Sequence, residues 1–389
     1  MLICVLGRQP ELGVAELEAV IGPERIVYVG EGYALIDNAS IELDQRRLGG
    51  VVRIAEVITT IPSTKRNKVS FVALHKIVDT MLSMPDHKLT MGLSVYGLDA
   101  TPKQINSMMF SIKNRLKERG RSVRNILGND STSLNSAQVI HNGLIGEFGS
   151  EFLIAVGKKE TYLAKTISVQ DIDSYSKRDY GRPRRDTKAG MLPPKLAQIM
   201  LNLAKAGPDT TVLDPFCGTG VVLMEASIIG SKVYGSDINE KMVAYAHENL
   251  EWLSREYGVT VNLGSLICAD ARRHRWKGNI ERVVTETYLG PRFSSVQDRN
   301  SLRDTIDECN EIITEFLTNL RPQLGKGSRC CIAVPVWASE RGFIYLPVSG
   351  ATGKLGYKTV SFVHTGRKEL VYYRSGQAVA RELLVLEPS

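Results

Sequence analysis

The residues Asp214-Pro215-Phe216-Cys217-Gly218-Thr219-Gly220 bring a carboxylate, an aromatic ring and two glycines into one tight turn. The turn follows Thr211-Val212-Leu213, which reads as a buried strand, and precedes Val221–Ile229, which reads as a helix. Glycines there let the backbone approach a ligand beside the strand's carboxyl end, where open α/β sheets bind their cofactors. No Gly-Lys-Ser/Thr follows, which argues against a nucleoside triphosphate cradle. Asp237 stands 23 positions after Asp214, in Ser236-Asp237-Ile238 at the end of a second strand over Lys232–Gly235. An acid in that place can accept both hydroxyls of a ribose. Asp270 closes a third strand after Leu266-Ile267-Cys268-Ala269, where it can accept from an adenine amino group while the Ala271 N–H reads the ring. Any one of these acids is more often a helix cap. The ordered set around Phe-x-Gly-x-Gly points to a cofactor that carries adenosine.

Asp-Pro-Phe-Cys-Gly-Thr-Gly resembles the form taken in S-adenosylmethionine-dependent amino-methyltransferases. Three further stretches, Tyr175-x-x-Arg178-Asp179-x-x-Arg182-Pro183, Gly190-Met191-Leu192-Pro193-Pro194-Lys195-Leu196-Ala197 and Asn202-Leu203-Ala204, are similar to the tRNA guanosine-10 N2-methyltransferase family of archaea and eukaryotes. The resemblance is strong over Arg178–Pro291. It implies S-adenosylmethionine as methyl donor, with Leu192, Asp214, Phe216, Cys217, Gly218, Thr219, Gly220, Asp237, Ile238, Asp270 and Ala271 around it and the Gly190–Lys195 segment near its methionine end. It implies an α/β fold: a Rossmann-like class I methyltransferase domain with a mostly parallel seven-stranded sheet and an antiparallel end hairpin. Ahead of that domain it implies α+β ferredoxin-like and THUMP-like RNA-binding domains.

In that family the fourth strand ends in Asp/Asn-Pro-Pro-Tyr. An exocyclic amine conjugated to a purine is a poor nucleophile, so oxygen acceptors must orient its hydrogens while an aromatic ring stacks on the extruded base. Here the strand reads Arg282-Val283-Val284-Thr285-Glu286-Thr287-Tyr288-Leu289-Gly290-Pro291. Tyr288 and the Gly290-Pro291 turn are kept. Thr285 stands at the Asp position and Glu286 at the first Pro. Two readings follow: a methyltransferase in which Glu286 or the Thr285 hydroxyl replaces the missing acceptor beside Tyr288, or a protein that binds cofactor and RNA without transferring a methyl group.

These residues need elements to carry them, and 389 residues exceed one ordinary domain. We expect a ferredoxin-like domain over 1–65, a THUMP-like domain over 66–170, a linker over 171–190 and the methyltransferase domain over 191–389. Leu2–Leu6 reads as a strand, Leu12–Ile21 as an amphipathic helix, and Arg25–Val29 with Tyr33–Ile36 as a strand pair. Val72–Leu82 and Thr101–Arg119 read as helices, the latter with Thr101 at its cap and Pro102 in its first turn. Lys88–Tyr96, Ala137–Ile140 and Phe152–Val156 read as strands. Beyond Tyr288 the spacing of Leu302, Ile306, Cys309, Ile313 and Phe316 predicts a long helix over Asn300–Leu320, followed by a strand over Arg329–Val336 and late strands over Gly356–His364, Glu369–Arg374 and Glu382–Leu386.

Charge is unevenly spread. The whole chain is +7, but residues 1–60 are −4, residues 61–190 are +9 and the remainder is +2. Arg115, Lys117, Arg119, Arg121 and Arg124, with Arg182, Arg184 and Arg185 of the linker, are therefore the candidate contacts to tRNA or another structured RNA. Apolar runs are far shorter than the roughly 20 residues of a membrane span. Six scattered cysteines without a Cys-x-x-Cys pair fit a reducing cytoplasm and give no zinc site. His247, His274 and His364 show no ligand spacing. The sequence leaves the oligomeric state open. A DNA adenine-N6 or cytosine-N4 methyltransferase, which shares the amine chemistry, is the competing enzyme reading; the compact basic region upstream favours RNA.

Overall fold

The computed structural model describes residues 1–37, 43–62, 71–128, 131–186, 191–261, 265–291, 302–340 and 342–389. The chain divides into two compact units, one of residues 1–10, 21–46 and 51–172, the other of residues 11–20, 47–50 and 173–389.

The first unit holds β1 (Leu2–Leu6), β2 (Ile26–Gly30), β3 (Tyr33–Ile36), β4 (Val51–Pro62), β5 (Leu89–Tyr96), β6 (Val123–Ile126), β7 (Gly149–Val156) and β8 (Glu160–Val169). All eight join one sheet in the order β2-β3-β1-β4-β8-β7-β5-β6, so strands from blocks 1–65 and 66–170 share a continuous surface. Side chains alternate across it. Phe152 and Ile154 face the core beneath helices Phe71–Leu82 and Pro102–Glu118, while Leu153 and Ala155 pack with Ile3, Val5 and Tyr33 on the other face. Thr101 closes a capping box on Pro102–Glu118: its Oγ1 accepts from Gln104 N at 3.3 Å and its own N–H donates to Gln104 Oε1 at 2.7 Å.

Two expectations change here. Ala137–Ile140 lies in a helix, Ser136–His141, not a strand. Asn135 and Gln138 form a capping box that starts the helix, and four residues are too few for an alternating pattern to decide between periods. The polar stretch 171–190 contains a helix at Ile172–Tyr180, whose Tyr175 and Arg178, three residues apart on one face, are both buried. Residues 187–190 of that stretch lie outside the described residues, as do residues 300 and 301 of the long helix.

The second unit is built on a sheet ordered β11-β10-β9-β12-β13-β17-β15, numbered from β9 (Thr211–Asp214), β10 (Lys232–Asp237), β11 (Leu266–Cys268), β12 (Ile280–Glu286), β13 (Leu324–Ser339), β14 (Gly342–Ile344), β15 (Tyr357–Thr359), β16 (Val371–Tyr372) and β17 (Val379–Pro388). β9 through β13 run parallel; β17 is antiparallel to β13 and β15 to β17, the late hairpin read from the sequence. The order turns around between β9 and β12, which makes their carboxyl ends a topological switch point and opens a crevice there. Both sheet faces are covered. Val284 joins the core with helices Pro194–Leu203, Val221–Ile228 and Glu240–Tyr257; the adjacent Val283 joins the one under Arg303–Leu320. The early helix, Pro10–Ile21, contributes Leu12 and Ala15 to this second unit's core. Its buried Glu16 accepts from Gly49 N, Gly50 N and Asn202 Nδ2 at 2.7–2.8 Å, and burial pushes the carboxyl up to about 7.

Candidate functional site

At the switch point a crevice opens to solvent, walled by the 214–222 turn and helix start together with Asp186, Met191, Leu192, Met242 and Glu286, with about 80 Å³ of enclosed room. The turn owes its shape to glycine. Gly218 and Gly220 hold φ of +49° and +85°, the left-handed region, and a Cβ on Gly220 would stand 3.1 Å from that of Ala246. Cys217 N donates to Ser236 O and Gly220 N to Cys217 O, so the loop is fixed to the neighbouring strand. Cys217 is buried, and burial raises its thiol well above the ordinary range, which leaves it unreactive packing.

The three acids sit at successive strand ends. Asp214 is 2% exposed; its Oδ1 accepts both from Thr285 Oγ1 at 2.6 Å and from Phe216 N at 3.2 Å. Desolvation pushes its carboxyl up to about 7, with the charges of Asp237 and Glu286 adding to the rise. Asp237 Oδ2 accepts from Gly218 N and Oδ1 from Asn239 N, each at 2.9 Å, which fixes the plane of the carboxylate and leaves lone pairs for a diol. Beside it Ile238 presents an apolar side chain that is 67% exposed. Asp270 is gripped by Arg272 through Nε and Nη2 at 2.7–3.1 Å, which holds its carboxyl below the usual range, and Ala271 is buried. One acid next to a cavity, one placed for a diol and one at the third strand end, with an exposed aliphatic surface between the last two, match the ammonium, ribose and adenine of S-adenosylmethionine. The left-handed glycine cradle accommodates a close backbone approach. The residues present fit that group.

The fourth strand end departs from the sequence reading in one respect. Thr285 is fully buried and its hydroxyl is committed to Asp214, so it stands behind the cavity wall. Glu286, on the opposite face of the strand, reaches the cavity and accepts from Arg381 Nε. Thr287 bonds to Ala333 O through both N and Oγ1. Tyr288 follows, 40% exposed. The turn behind it requires Gly290, whose φ is +81° and where a Cβ would meet Thr305 Cγ2 at 2.7 Å. Arg381 escaped sequence reading because it lies 95 positions after Glu286, on an antiparallel strand whose alternation alone gives no partner. Met242 is similarly joined to the site only by the fold.

The basic residues separate by surroundings. Lys117, Arg119 and Arg124 are exposed; Arg119 lies 3.8 Å from Asp79, and Arg124 Nη2 donates to Asn142 Oδ1. Arg115 is half-buried beside His75. Arg121 is spent on the turn before β5, donating to Asp86 Oδ1 and to the carbonyls of Met84 and Pro85. Arg184 pairs with Glu248 at 2.6 Å, and Arg185 stacks on Tyr180. Arg182 is a correction to the RNA-binding set. It is 3% exposed, with Nη2 against Met191 Sδ, and among the described residues its Nε and Nη1 have no hydrogen-bond partner. A phosphate cannot reach it there. Arg178, buried nearby, is bound to Glu225 at 2.6 Å. Among the described residues no cluster of His, Cys, Asp and Glu could hold a metal ion, and no helix is long and apolar enough to cross a membrane.

Comparison with known proteins agrees with this geometry. A family model described as RMKL-like, methyltransferase domain, matches residues 182–335, and one described as DNA methylase matches residues 94–248. The tRNA (guanine(10)-N2)-dimethyltransferase of Methanothermobacter thermautotrophicus is 26% identical over 342 residues, 86% of this chain and 88% of that protein. Its counterpart from Methanocaldococcus jannaschii is 39% identical over 159 residues, 40% of this chain and 43% of that one. Among solved structures, TrmN from Thermus thermophilus covers 100% of this chain and 99% of its own at 18% identity with a TM-score of 0.55. A possible methylase from Clostridium difficile 630 covers 98% and 97% at 14% identity with a TM-score of 0.50. The expected class I methyltransferase fold is thereby supported, and the resemblance to the tRNA guanosine-10 N2-methyltransferases is borne out.

Proposed function

We propose that this chain is an S-adenosylmethionine-dependent N-methyltransferase that modifies the exocyclic amine of a guanosine in tRNA. The observation that carries the proposal is the crevice at the switch point, lined by Asp214, the glycine turn and Glu286, with Asp237 fixed to Gly218 N at its side. When bound, S-adenosylmethionine supplies an electrophilic methyl on a sulfonium, transferred with sulfur keeping the bonding pair.

The protein's residues do the rest. Asp214 binds the amino group of the methionine end, Asp237 the ribose hydroxyls, and Ile238 with Asp270 the adenine. Tyr288 stacks on a base turned out of its helix. Glu286 accepts a hydrogen from the amine, which turns the nitrogen lone pair toward the methyl group and takes up the proton shed afterwards. Met191, Leu192 and Phe216 in the crevice wall give the methionine end an apolar surface to pack against.

The first unit holds the RNA. Its exposed cations Lys117, Arg119 and Arg124, at the end of one helix and on β6 beside it, suit contacts to phosphates rather than to bases. We also propose a cytoplasmic location, in keeping with six cysteines scattered along the chain without a Cys-x-x-Cys pair. The division into ferredoxin-like, THUMP-like and methyltransferase domains belongs to the same proposal. It is supported by the clustering of the cofactor elements in the second unit and of the basic excess upstream.

The DNA-methylase match makes a DNA amine the competing substrate. Filter binding at matched salt, with labelled tRNA against duplex DNA, separates the two. Tighter binding of tRNA is expected; tighter binding of the duplex refutes the RNA reading.

A further inference from the structure

Glu286 ends β12 and Arg381 sits near the start of β17, two strands away in the sheet. The intervening β13 pairs with both: Ala333 lies opposite Glu286, and Pro335, two residues on, lies opposite Arg381. Strands two apart are separated by roughly 9–10 Å, a span that needs the length of an arginine. The Arg381 Nε reaches Glu286 Oε1, and both side chains are largely enclosed, 8% and 15% exposed. Among the described residues no other hydrogen bond to the Glu286 carboxylate is found, so Oε2 is left for something in the cavity.

An enclosed ion pair is seldom retained for stability, because the loss of hydration offsets most of the attraction and an apolar pair of similar volume does as well. Its value lies in geometry. Arg381 is held in the middle of a sheet by β13 on one side and β16 on the other, where it pairs with Tyr372. An arginine so anchored fixes one oxygen of the carboxylate and, with it, the direction of the other.

We infer that Arg381 is the positioning residue for the proposed methyl transfer. It holds the Glu286 carboxylate in an ion pair with Oε2 directed at the substrate amine, and so replaces the rigid two-proline strand end that this chain lacks. The inference rests on the proposed function. It also fixes the kind of nitrogen that the site accepts: a carboxylate without a proton only accepts hydrogen bonds, so the target must bring hydrogens, as a primary exocyclic amine does and a ring nitrogen without hydrogen does not. In the transfer the amine nitrogen gains a bond to carbon and loses one proton, which passes to Glu286 and then to water. The products are the methylated amine, S-adenosylhomocysteine and a proton.

The test compares wild type with Arg381→Met, Arg381→Lys, Glu286→Gln and the double variant Glu286→Gln/Arg381→Met. It uses the full chain, labelled S-adenosylmethionine and a tRNA transcript, with S-adenosylhomocysteine affinity measured by calorimetry. Arg381→Met and Glu286→Gln should each lower kcat by about 100-fold or more, the scale of a positioned proton acceptor. KM for tRNA and affinity for S-adenosylhomocysteine should stay within about threefold of wild type. Arg381→Lys should recover part of kcat, and the double variant should be no slower than the worse single one, since the two residues act as a unit. Arg381→Met with near wild-type kcat, losses of kcat and cofactor affinity together, or additive losses in the double variant would each overturn the inference alone. A wild-type protein that binds cofactor and tRNA but transfers no methyl overturns the proposed function and this inference with it.

Discussion

Asp214 makes the folded protein sensitive to pH in a direction opposite to most carboxylates. Its carboxyl is buried, and both of its neighbours, the Thr285 hydroxyl and the Phe216 N–H, give their hydrogens to the same oxygen, Oδ1. Oδ2 is thus the atom that takes the proton. The folded value lies at about 7, against the ordinary 3.8 of an unfolded aspartyl group, because burial disfavours the charge. Between those values the folded state holds a proton that the unfolded state has lost, so stability is greatest below pH 4, falls as pH rises and levels off above about 7. The gap corresponds to about 4 kcal/mol in all, of which about 2–3 kcal/mol falls between pH 5 and pH 7.5. Asp214→Asn keeps Oδ1 and both hydrogen bonds but cannot titrate. Its urea unfolding should therefore lose about 2–3 kcal/mol less than wild type over that interval; Glu16, raised to about 7 in the same window, acts equally on both proteins. Trp252, Trp276 and Trp337 all lie in the second unit, so tryptophan fluorescence follows the relevant part of the chain. Parallel pH profiles for the two proteins would show that Asp214 is ionised in the ordinary range and would refute the reasoning.

Other consequences follow from the same contacts. S-adenosylhomocysteine, whose cationic amine favours ionised Asp214, should bind about fivefold tighter at pH 7 than at pH 6 in calorimetry, and Asp214→Asn should abolish that dependence. Arg178→Gln leaves Glu225 buried without its 2.6 Å partner and should cost about 3–5 kcal/mol in urea unfolding. Changing Lys117, Arg119 and Arg124 together to Glu should weaken tRNA binding and reduce its log–log salt slope by about 2–3, with S-adenosylhomocysteine affinity unchanged. Unchanged tRNA affinity removes those residues from the RNA surface.

The cofactor end of the fold was readable from residues 211–270 because its chemistry is local. Acids at strand ends and glycines in the turn between them need no distant partner to be recognised; Asp214 and Gly218 line the crevice, and Asp237 accepts from Gly218 N at its side. What was not readable depends on pairing across the chain. β4 carries no clean period-two pattern, although its twelve residues join β1 to β8 and hold the first sheet together. The helix Pro10–Ile21 shows the apolar stripe of a packed helix, yet nothing in that stripe says that it packs in the second unit's core. Arg182 resembled a solvent-facing cation in a run of charges, while the fold buries it against Met191. Glu286 stood out as a departure from a motif; its partner Arg381 is defined only by the register of two strand pairs.

The central claim is that this chain transfers a methyl group to a guanine amine of tRNA, and nucleoside mass spectrometry tests it most directly. Unmodified tRNA would be incubated with the purified protein and methyl-labelled S-adenosylmethionine, digested, and resolved into nucleosides. The account predicts label in N2-methylated guanosine. Label in another nucleoside, or none from a protein that calorimetry shows to bind the cofactor, would contradict it.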